Sequence, residues 1–175
     1  AESDAEQIER AIRHHEEAAI IDPDGAMTMH HWAVTLDRAG RHSEALEQHE
    51  AALSASLPVP PKLLVAYSKS LARAERWEDA VAAMRRAADA YGDRPVPASV
   101  LTQTGELQVH LGEAVSAEAS FRAALEISPQ YASAMYGLAL SQRDQKHWPE
   151  AEQSFESAVS AAARPRFTWS KELAH

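Results

Sequence analysis

Residues 117–129 read AEASFRAALEISP, and the spacing inside this stretch recurs along the chain. Phe121 follows Ala117 by four residues and precedes Ala124 by three. The other copies open with Ala11, Ala45, Ala80 and Ala151, and they carry His15, His49, Met84 and Phe155 in the Phe position. The copies begin at intervals of 34, 35, 37 and 34 residues. A period in this range is typical of a helical solenoid built from repeated helix pairs.

Each repeat is predicted to contain two amphipathic helices separated by a short break. In the first full repeat, Met29, Trp32, Ala33 and Leu36 follow the i, i+3, i+4, i+7 spacing of one helix face. Gly40 then breaks the chain, and Ser43 is the predicted N-cap of the second helix. We therefore expect one array over residues 1–175, with a half-repeat at 4–23, full repeats at 26–59, 61–94, 98–131 and 132–165, and a further helix or cap at 166–175.

Small residues are expected where the paired helices cross, because they allow two backbones to approach closely. The first helices carry Ala33, Ser68, Gly105 and Ala139 at this position, and the second helices carry Ala45, Ala80, Ala117 and Ala151.

The pattern from Ala117 through Phe121 and Ala124 to Pro129 resembles the tetratricopeptide repeat. The resemblance implies a right-handed superhelical solenoid of antiparallel helix pairs. It also implies a non-catalytic protein that binds partner peptides in a concave groove lined by the first helix of each pair. His15 and His49 depart from the family pattern, since they stand where Phe is usual.

Composition narrows the classes of function. The net charge of −9 argues against nucleic acid as the main ligand, because that binding needs Lys and Arg to neutralise phosphates. There is no long apolar run and no Cys, so we expect no membrane span, no disulfide and no Cys-ligated zinc. The chain begins AESD rather than with Met, and we interpret this as a processed end or a fragment boundary. The excess of Arg over Lys and the many Ala residues suggest a bacterial gene, with cytoplasm and periplasm both open.

The nine histidines prompt the question of a metal site. None of them stands in an H-E-x-x-H pattern, and His15 and His49 are expected to be partly solvated core residues. There is no G-x-S-x-G motif and no Gly-rich phosphate loop. We therefore expect no catalytic residue, no metal and no cofactor.

Helical geometry identifies the first-helix residues that lie opposite the packed face. They are Met27, His31, Val34 and Arg38, then Lys62, Ala66, Lys69 and Arg73, then Ser99, Gln103, Glu106 and His110, and finally Ser133, Gly137, Leu140 and Asp144, with Tyr136 beside them. The predicted partner-binding residues among these are His31, Arg38, Lys62, Lys69, Arg73, Met27, Val34, Gln103, Tyr136 and Leu140. Arg38, Lys62, Lys69 and Arg73 form what we call the basic stripe. The alternative interpretation is a solvated helix face that is basic by chance.

A carboxylate clamp of the kind found in some tetratricopeptide co-chaperones is not predicted. That clamp uses Lys and Asn, whereas the corresponding positions here hold His30, Val34, Ala66, Ser99 and Gln103.

Two functions follow from the sequence. The first is a scaffold that binds a protein or peptide, with an acidic segment or a free C-terminus as the expected partner. The alternative is a substrate-recruiting domain of a larger enzyme, such as a transferase or an oxygenase. The residues Ser3, Asp4, Ala5 and Glu6 look like a capping box that starts the second helix of a pair. We therefore expect the first helix of that pair to be missing, and the uncapped N-terminal helix to be able to self-associate. Trp169 lies 34 residues after Met135, in the position that prefers Trp, so residues 166–175 are either the first helix of a further repeat or a short cap.

The sequence also predicts how the basic stripe responds to charge reversal. Changing Lys69 and Arg73 to Glu is expected to weaken partner binding and to leave the melting temperature nearly unchanged, since exposed charges contribute little to stability.

Overall fold

A computed structural model describes residues 3–163, which form nine α-helices and no strand. The helices are α1 (Asp4–Ile21), α2 (Ala26–Arg38), α3 (His42–Ala55), α4 (Pro61–Arg73), α5 (Trp77–Asp89), α6 (Ala98–His110), α7 (Ala114–Ile127), α8 (Ala132–Asp144) and α9 (Trp148–Ala163). None of these helices is long and apolar enough to cross a membrane. The helix or cap predicted at 166–175, with Trp169, lies outside the described residues.

The chain divides into two compact units, unit 1 (residues 1–96) and unit 2 (residues 97–175). In unit 1, α2 pairs with α3 and α4 with α5, while α1 packs on α2 and α3 packs on α4. In unit 2, α6 pairs with α7 and α8 with α9, and α7 packs on α8. Three residues separate the two helices of every pair, and such short connections join antiparallel neighbours. Each unit therefore buries its apolar faces by stacking one helix pair on the next.

The turn inside each pair has the same backbone conformation. Gly40, Glu75, Gly112 and Lys146 all have positive φ, at 77°, 58°, 73° and 64°. The next residue donates its N–H to the carbonyl five positions earlier, at 2.9 Å in all four turns. These bonds are those of a Schellman motif, which ends the first helix of the pair.

The N-cap predicted for α1 is confirmed, and the N-cap predicted for α3 is wrong. Ser3 and Glu6 form the predicted capping box of α1, with the Ser3 N–H donating to Glu6 Oε2 at 2.9 Å and the Glu6 N–H donating to Ser3 Oγ at 3.3 Å. The predicted N-cap Ser43 is wrong, because α3 begins at His42 with Arg41 in the cap position. The tight turn at Gly40 ends the preceding helix early enough for α3 to begin before Ser43.

The eight small residues predicted at the helix crossings are all buried. In unit 1 the crossing of α4 and α5 adds a hydrogen bond, since Ser68 Oγ donates to the Ala80 carbonyl at 2.8 Å. The small side chains thus allow close approach of the helices, as the sequence indicated.

Phe121 is the largest fully buried side chain among the described residues of unit 2, and two glycines make room for it. A Cβ added to Gly105 of α6 would lie 2.8 Å from the Phe121 ring, and one added to Gly137 of α8 would overlap the same ring. Gly137 is therefore a packing residue. The prediction that it faces the binding surface was wrong, because the neighbouring α7 covers it.

Candidate partner-binding site

A cavity of about 360 Å³ opens in unit 1 between α2, α3 and α4. Five of the predicted partner-binding residues line it, namely Val34, Arg38, Lys62, Lys69 and Arg73. The remaining lining residues are His30, Asp37, His49, Val65 and Ala66. The structure thus brings the whole basic stripe to the wall of a single cavity.

The spacing of α4 explains how its cations reach one side. Lys62, Lys69 and Arg73 are seven and four residues apart, which places them within about 40° of one another around the helix. Pro61 starts this helix, and its fixed φ suits a first helical position. Three of the four stripe cations, Arg38, Lys62 and Lys69, are exposed and form no ion pair within residues 3–163.

Asp37 is the one carboxylate in the cavity wall, and it is already bonded. Its side chain is 4 % exposed and lies 3.1 Å from Arg73 Nη1. Ser70 Oγ donates to the same carboxylate oxygen, and His42 Nδ1 is 3.0 Å from the other oxygen. The carboxylate therefore ties α2 to α3 and α4. Arg73 is not the free cation that the sequence suggested, although half of its side chain remains exposed.

Two buried histidines lie deeper in the cavity. His49 is 0 % exposed and His30 is 8 % exposed, with their ring centroids 5.5 Å apart. Both ring nitrogens of His49 and Nδ1 of His30 lack a hydrogen-bond partner among the described residues. The prediction of a partly solvated His49 was wrong, because α3 is covered by the helices on both sides.

Burial controls the charge of these rings. Burial, reinforced by the neighbouring His30, lowers the pKa of His49 to about 4. The pKa of His30 is also lowered, by burial first and then by the nearby His31 and Lys62. Both rings are therefore neutral at pH 7, and each offers one N–H donor and one acceptor nitrogen.

Tyr67 also packs edge-on against the His49 ring, with centroids 6.1 Å apart. Its hydroxyl donates to Glu50 Oε1 at 2.9 Å. Burial first, and then this hydrogen bond, raise the pKa of Tyr67 to about 12. Tyr67 is thus neutral at pH 7, and its hydrogen bond to Glu50 holds it against the His49 ring.

The other predicted partner-binding residues lie outside this cavity. Met27 and His31 are exposed on α2, and the His31 ring is 5.4 Å from that of His30. In unit 2, Gln103 and Leu140 are half-buried. Tyr136 is 54 % exposed, packs edge-on against Phe155 and lines a second pocket of about 420 Å³.

His15, the other histidine in a Phe position, has a different environment. It is half-buried, and its Nε2 lies 3.2 Å from Thr35 Oγ1. Its pKa is lowered, by burial first and then by His31. Within residues 3–163, no group of three or more His, Asp or Glu side chains could hold a metal ion.

Sequence reasoning missed Asp37, His30 and Ser70 as parts of this site. A signal for Asp37 is present, since Ala72, Val109 and Arg143 hold the same repeat position in the other first helices. An acidic residue in that position is specific to α2. Its partners come from other helices, however, and no local pattern links them.

Comparison with known proteins bears on the fold. A family model described as tetratricopeptide repeat matches the chain three times, at residues 30–95, 68–132 and 102–166. The comparison with curated proteins gives no match.

Several solved structures are similar in fold. The crystal structure of MamA has a TM-score of 0.80 at 17 % identity, covering 93 % of this chain and 96 % of that one. YrrB, described as a TPR protein with an unusual peptide-binding site, has a TM-score of 0.74 at 20 % identity, covering 89 % and 78 %. PilF of Pseudomonas aeruginosa has a TM-score of 0.74 at 19 % identity, covering 91 % and 71 %.

The three family matches overlap and together run from residue 30 to residue 166, which is most of the chain. The helix pairs, the Schellman turns and the buried small residues at the crossings are the structural counterpart of these matches. The chain belongs to the tetratricopeptide-repeat family.

Proposed function

We propose that the protein is a non-catalytic scaffold that binds an acidic segment of a partner protein over the basic stripe of unit 1. The fold is that of a protein-interaction scaffold, and YrrB, a protein of the same fold, is described as having a peptide-binding site. The observation that carries the proposal is the lining of the 360 Å³ cavity, where four cations face a single carboxylate.

The charge of this cavity contrasts with that of the protein. The whole chain has a net charge of −9, so a cluster of cations is not expected from composition alone. Asp37 is satisfied by Arg73, Ser70 and His42, and it leaves three cations without ion-pair partners among the described residues. A segment rich in Asp and Glu supplies those partners through charge-assisted hydrogen bonds. Val34 offers an apolar contact between the charges.

The structure changes the variant that tests this proposal. In Arg73→Glu a new carboxylate would replace the half-exposed guanidinium beside buried Asp37, so two like charges would face each other in place of an ion pair. The melting temperature would then fall for a reason unrelated to partner binding. Lys62 and Lys69 are free of such contacts and are the better pair to change.

The experiment is a selection from a random peptide library displayed on phage, followed by calorimetry with the best peptide. We expect wild-type protein to enrich peptides rich in Asp and Glu. The Lys62→Glu/Lys69→Glu variant should bind the selected peptide at least about tenfold more weakly, a loss of roughly 1.4 kcal/mol. Wild-type affinity should also fall as salt is added.

The matched control is Arg85→Glu/Arg86→Glu on α5, which makes the same change in net charge at two exposed cations outside the cavity wall. This control should retain the wild-type affinity. Selected peptides no more acidic than the library, or equal affinities in the two double variants, would contradict the proposal.

A further inference from the structure

We propose that the cavity receives one carboxylate side chain of the partner segment, and that a ring N–H of the buried pair His30 and His49 donates to it while Lys62 and Lys69 supply the opposite charge. This inference rests on the proposed function and names the chemistry at the base of the same site. It concerns residues that the basic stripe does not contain, since His49 belongs to a second helix.

His30 and His49 have buried ring nitrogens without hydrogen-bond partners among the described residues. A buried polar group without a partner lowers stability, so native proteins nearly always satisfy such groups. His49 has two such nitrogens and His30 has one, and both residues line the same cavity. These nitrogens are buried in the unbound protein, so an acceptor that enters the cavity supplies the missing hydrogen bond when the surrounding side chains move aside.

A second observation is the repeat position of His49. Phe121 and Phe155 occupy the same position in α7 and α9, and Met84 occupies it in α5. An apolar side chain therefore suits this position in the fold, and the imidazole is not needed to fill space. What the imidazole adds is a donor and an acceptor nitrogen, on a residue that lines the cavity.

A third observation is the sign of the charge. The cavity wall carries Arg38, Lys62, Lys69 and Arg73 against Asp37 alone. Neutral imidazoles add no charge, because burial keeps the pKa of both His30 and His49 below the ordinary value. The occupant that meets both conditions is an acceptor with negative charge. In a segment already held by the stripe, that group is the carboxylate of Asp or Glu.

The test uses two eight-residue peptides with acetylated and amidated ends, Gly-Leu-Gly-Glu-Glu-Gly-Leu-Gly and the same peptide with Gln in place of Glu. Binding is followed by calorimetry and by the ring ¹⁵N resonances of His30 and His49. We expect the Glu peptide to bind more tightly and to shift at least one of these resonances, and the Gln peptide to leave them in place.

The variants separate donor chemistry from packing. His49→Met inserts the side chain that Met84 provides at the same repeat position, and His30→Val inserts that of Val65. At least one of the two should bind the Glu peptide about tenfold more weakly, since hydrogen bonds to charged groups are stronger than those between neutral groups. If His49→Met is the variant that weakens binding, His49→Gln, which keeps an N–H donor, should restore most of the affinity. Melting curves show whether each variant is folded.

The outcomes distinguish this inference from the proposed function. Wild type, His49→Met and His30→Val could bind the Glu peptide with equal affinity while Lys62→Glu/Lys69→Glu binds it more weakly. That result would overturn the proposed hydrogen bond from His30 or His49 and support binding over the basic stripe. Equal binding of the Glu and Gln peptides by wild type would contradict both. Inorganic phosphate alone shifting the His49 resonance, or a Glu-free peptide doing so through a free C-terminus, would overturn the assignment to a side-chain carboxylate.

Discussion

His49 brings a polar ring into a position where the other second helices of the described pairs place Met84, Phe121 and Phe155. Its two nitrogens are buried without partners among the described residues, so the folded state carries a cost of about 1–3 kcal/mol at this one side chain. A residue that lowers stability in a repeat core is a candidate for a functional role, because mutation to an apolar residue would easily remove the cost.

The protonation of His49 makes stability depend on pH. Its pKa is about 4 in the folded protein and about 6.5 in the unfolded chain, so between these values only the unfolded state takes up the proton. Above pH 6.5 His49 is neutral in both states, and the free energy of unfolding is not reduced by its titration. As the pH falls toward 4 the free energy of unfolding decreases, by roughly 3 kcal/mol at most. Urea denaturation between pH 7.5 and 4 measures this loss.

The control for this prediction is His49→Met, which removes the titrating ring and leaves Asp37, Arg73 and His30 in place. We expect the free energy of unfolding of this variant to fall less steeply with decreasing pH. Parallel pH profiles for the variant and the wild type would show that His49 is not the group responsible.

The sequence predicted the position of a residue on its own helix, but it did not predict contacts with residues on other helices. The i, i+4, i+7 spacing identified His49 as a core position, and it placed Lys62 and Lys69 on one helix face. The depth of burial at His49 depends on α2 and α4, which the spacing within α3 does not describe. Asp37 depends on Arg73, 36 residues away, and that pairing has no local signal. The role of the stripe itself stays a prediction.

Among the structural elements, the turn inside each helix pair is the most regular. Gly40 and Gly112 could be predicted as breaks because Gly readily adopts positive φ. Glu75 and Lys146 hold the same conformation without that signal, at an expected cost of about 1–2 kcal/mol for a residue with a Cβ. The hydrogen bonds of the Schellman motif and the packing of the flanking helices enforce the turn at these positions.

Lys146→Gly should therefore stabilise the protein. Relief of the strained backbone is partly offset by the greater freedom of Gly in the unfolded chain, which leaves a gain of about 0.5–1 kcal/mol. Lys146→Ala is the matched control, because it removes the same side chain and keeps the Cβ. Chemical denaturation should rank Gly above Ala; the opposite order would mean that the positive φ carries no cost here.

The contact of α6 and α8 with the Phe121 ring predicts a substitution that lowers stability. Gly→Ala in a helix ordinarily stabilises by up to about 1 kcal/mol. At Gly137 the new Cβ overlaps the ring, and Gly105 prevents the ring from moving away. We expect Gly137→Ala to destabilise the protein by about 1–3 kcal/mol, as overpacked cores do. Thermal or urea denaturation measures the change.

A second variant tests whether the ring is the cause. Gly137→Ala combined with Phe121→Met replaces the rigid ring with the flexible side chain that Met84 provides at the same repeat position. The two substitutions should be strongly non-additive, with the Ala costing less in the Met background. Additive effects would place the clash elsewhere.

Two hydrogen bonds of unit 2 occupy equivalent positions in successive helix pairs, although the sequence pattern alone does not predict that they form. Ser120 Oγ donates to Gln108 Oε1 at 2.7 Å, and Ser154 Oγ donates to Gln142 Oε1 at the same distance. Both pairs are twelve residues apart and lie 34 residues from each other, so the sequence contains the repeat. The polar contact across the helix pair becomes visible only in the structure.

At the scale of the whole molecule, the fold was the easiest feature to predict and the partner the hardest. A period of 34 to 37 residues survives substitution, since it depends on the spacing of many small residues rather than on any one of them. The charge pattern predicts the binding surface less reliably than the period predicts the fold, because one buried carboxylate, Asp37, pairs with Arg73. The net charge of −9 identifies an acidic protein, and only the structure shows that its cations gather at a cavity.

The packing of Phe121 has a consequence for the exchange of repeats between proteins. Its ring rests on Gly105 of its own pair and on Gly137 of the following pair, so the three residues must be inherited together. A chimera joined between α7 and α8 would set this ring against a foreign residue, and any side chain larger than hydrogen at that position would collide with it. In unit 2, the segment that can be transplanted intact therefore extends beyond a single helix pair and includes the first helix of the next.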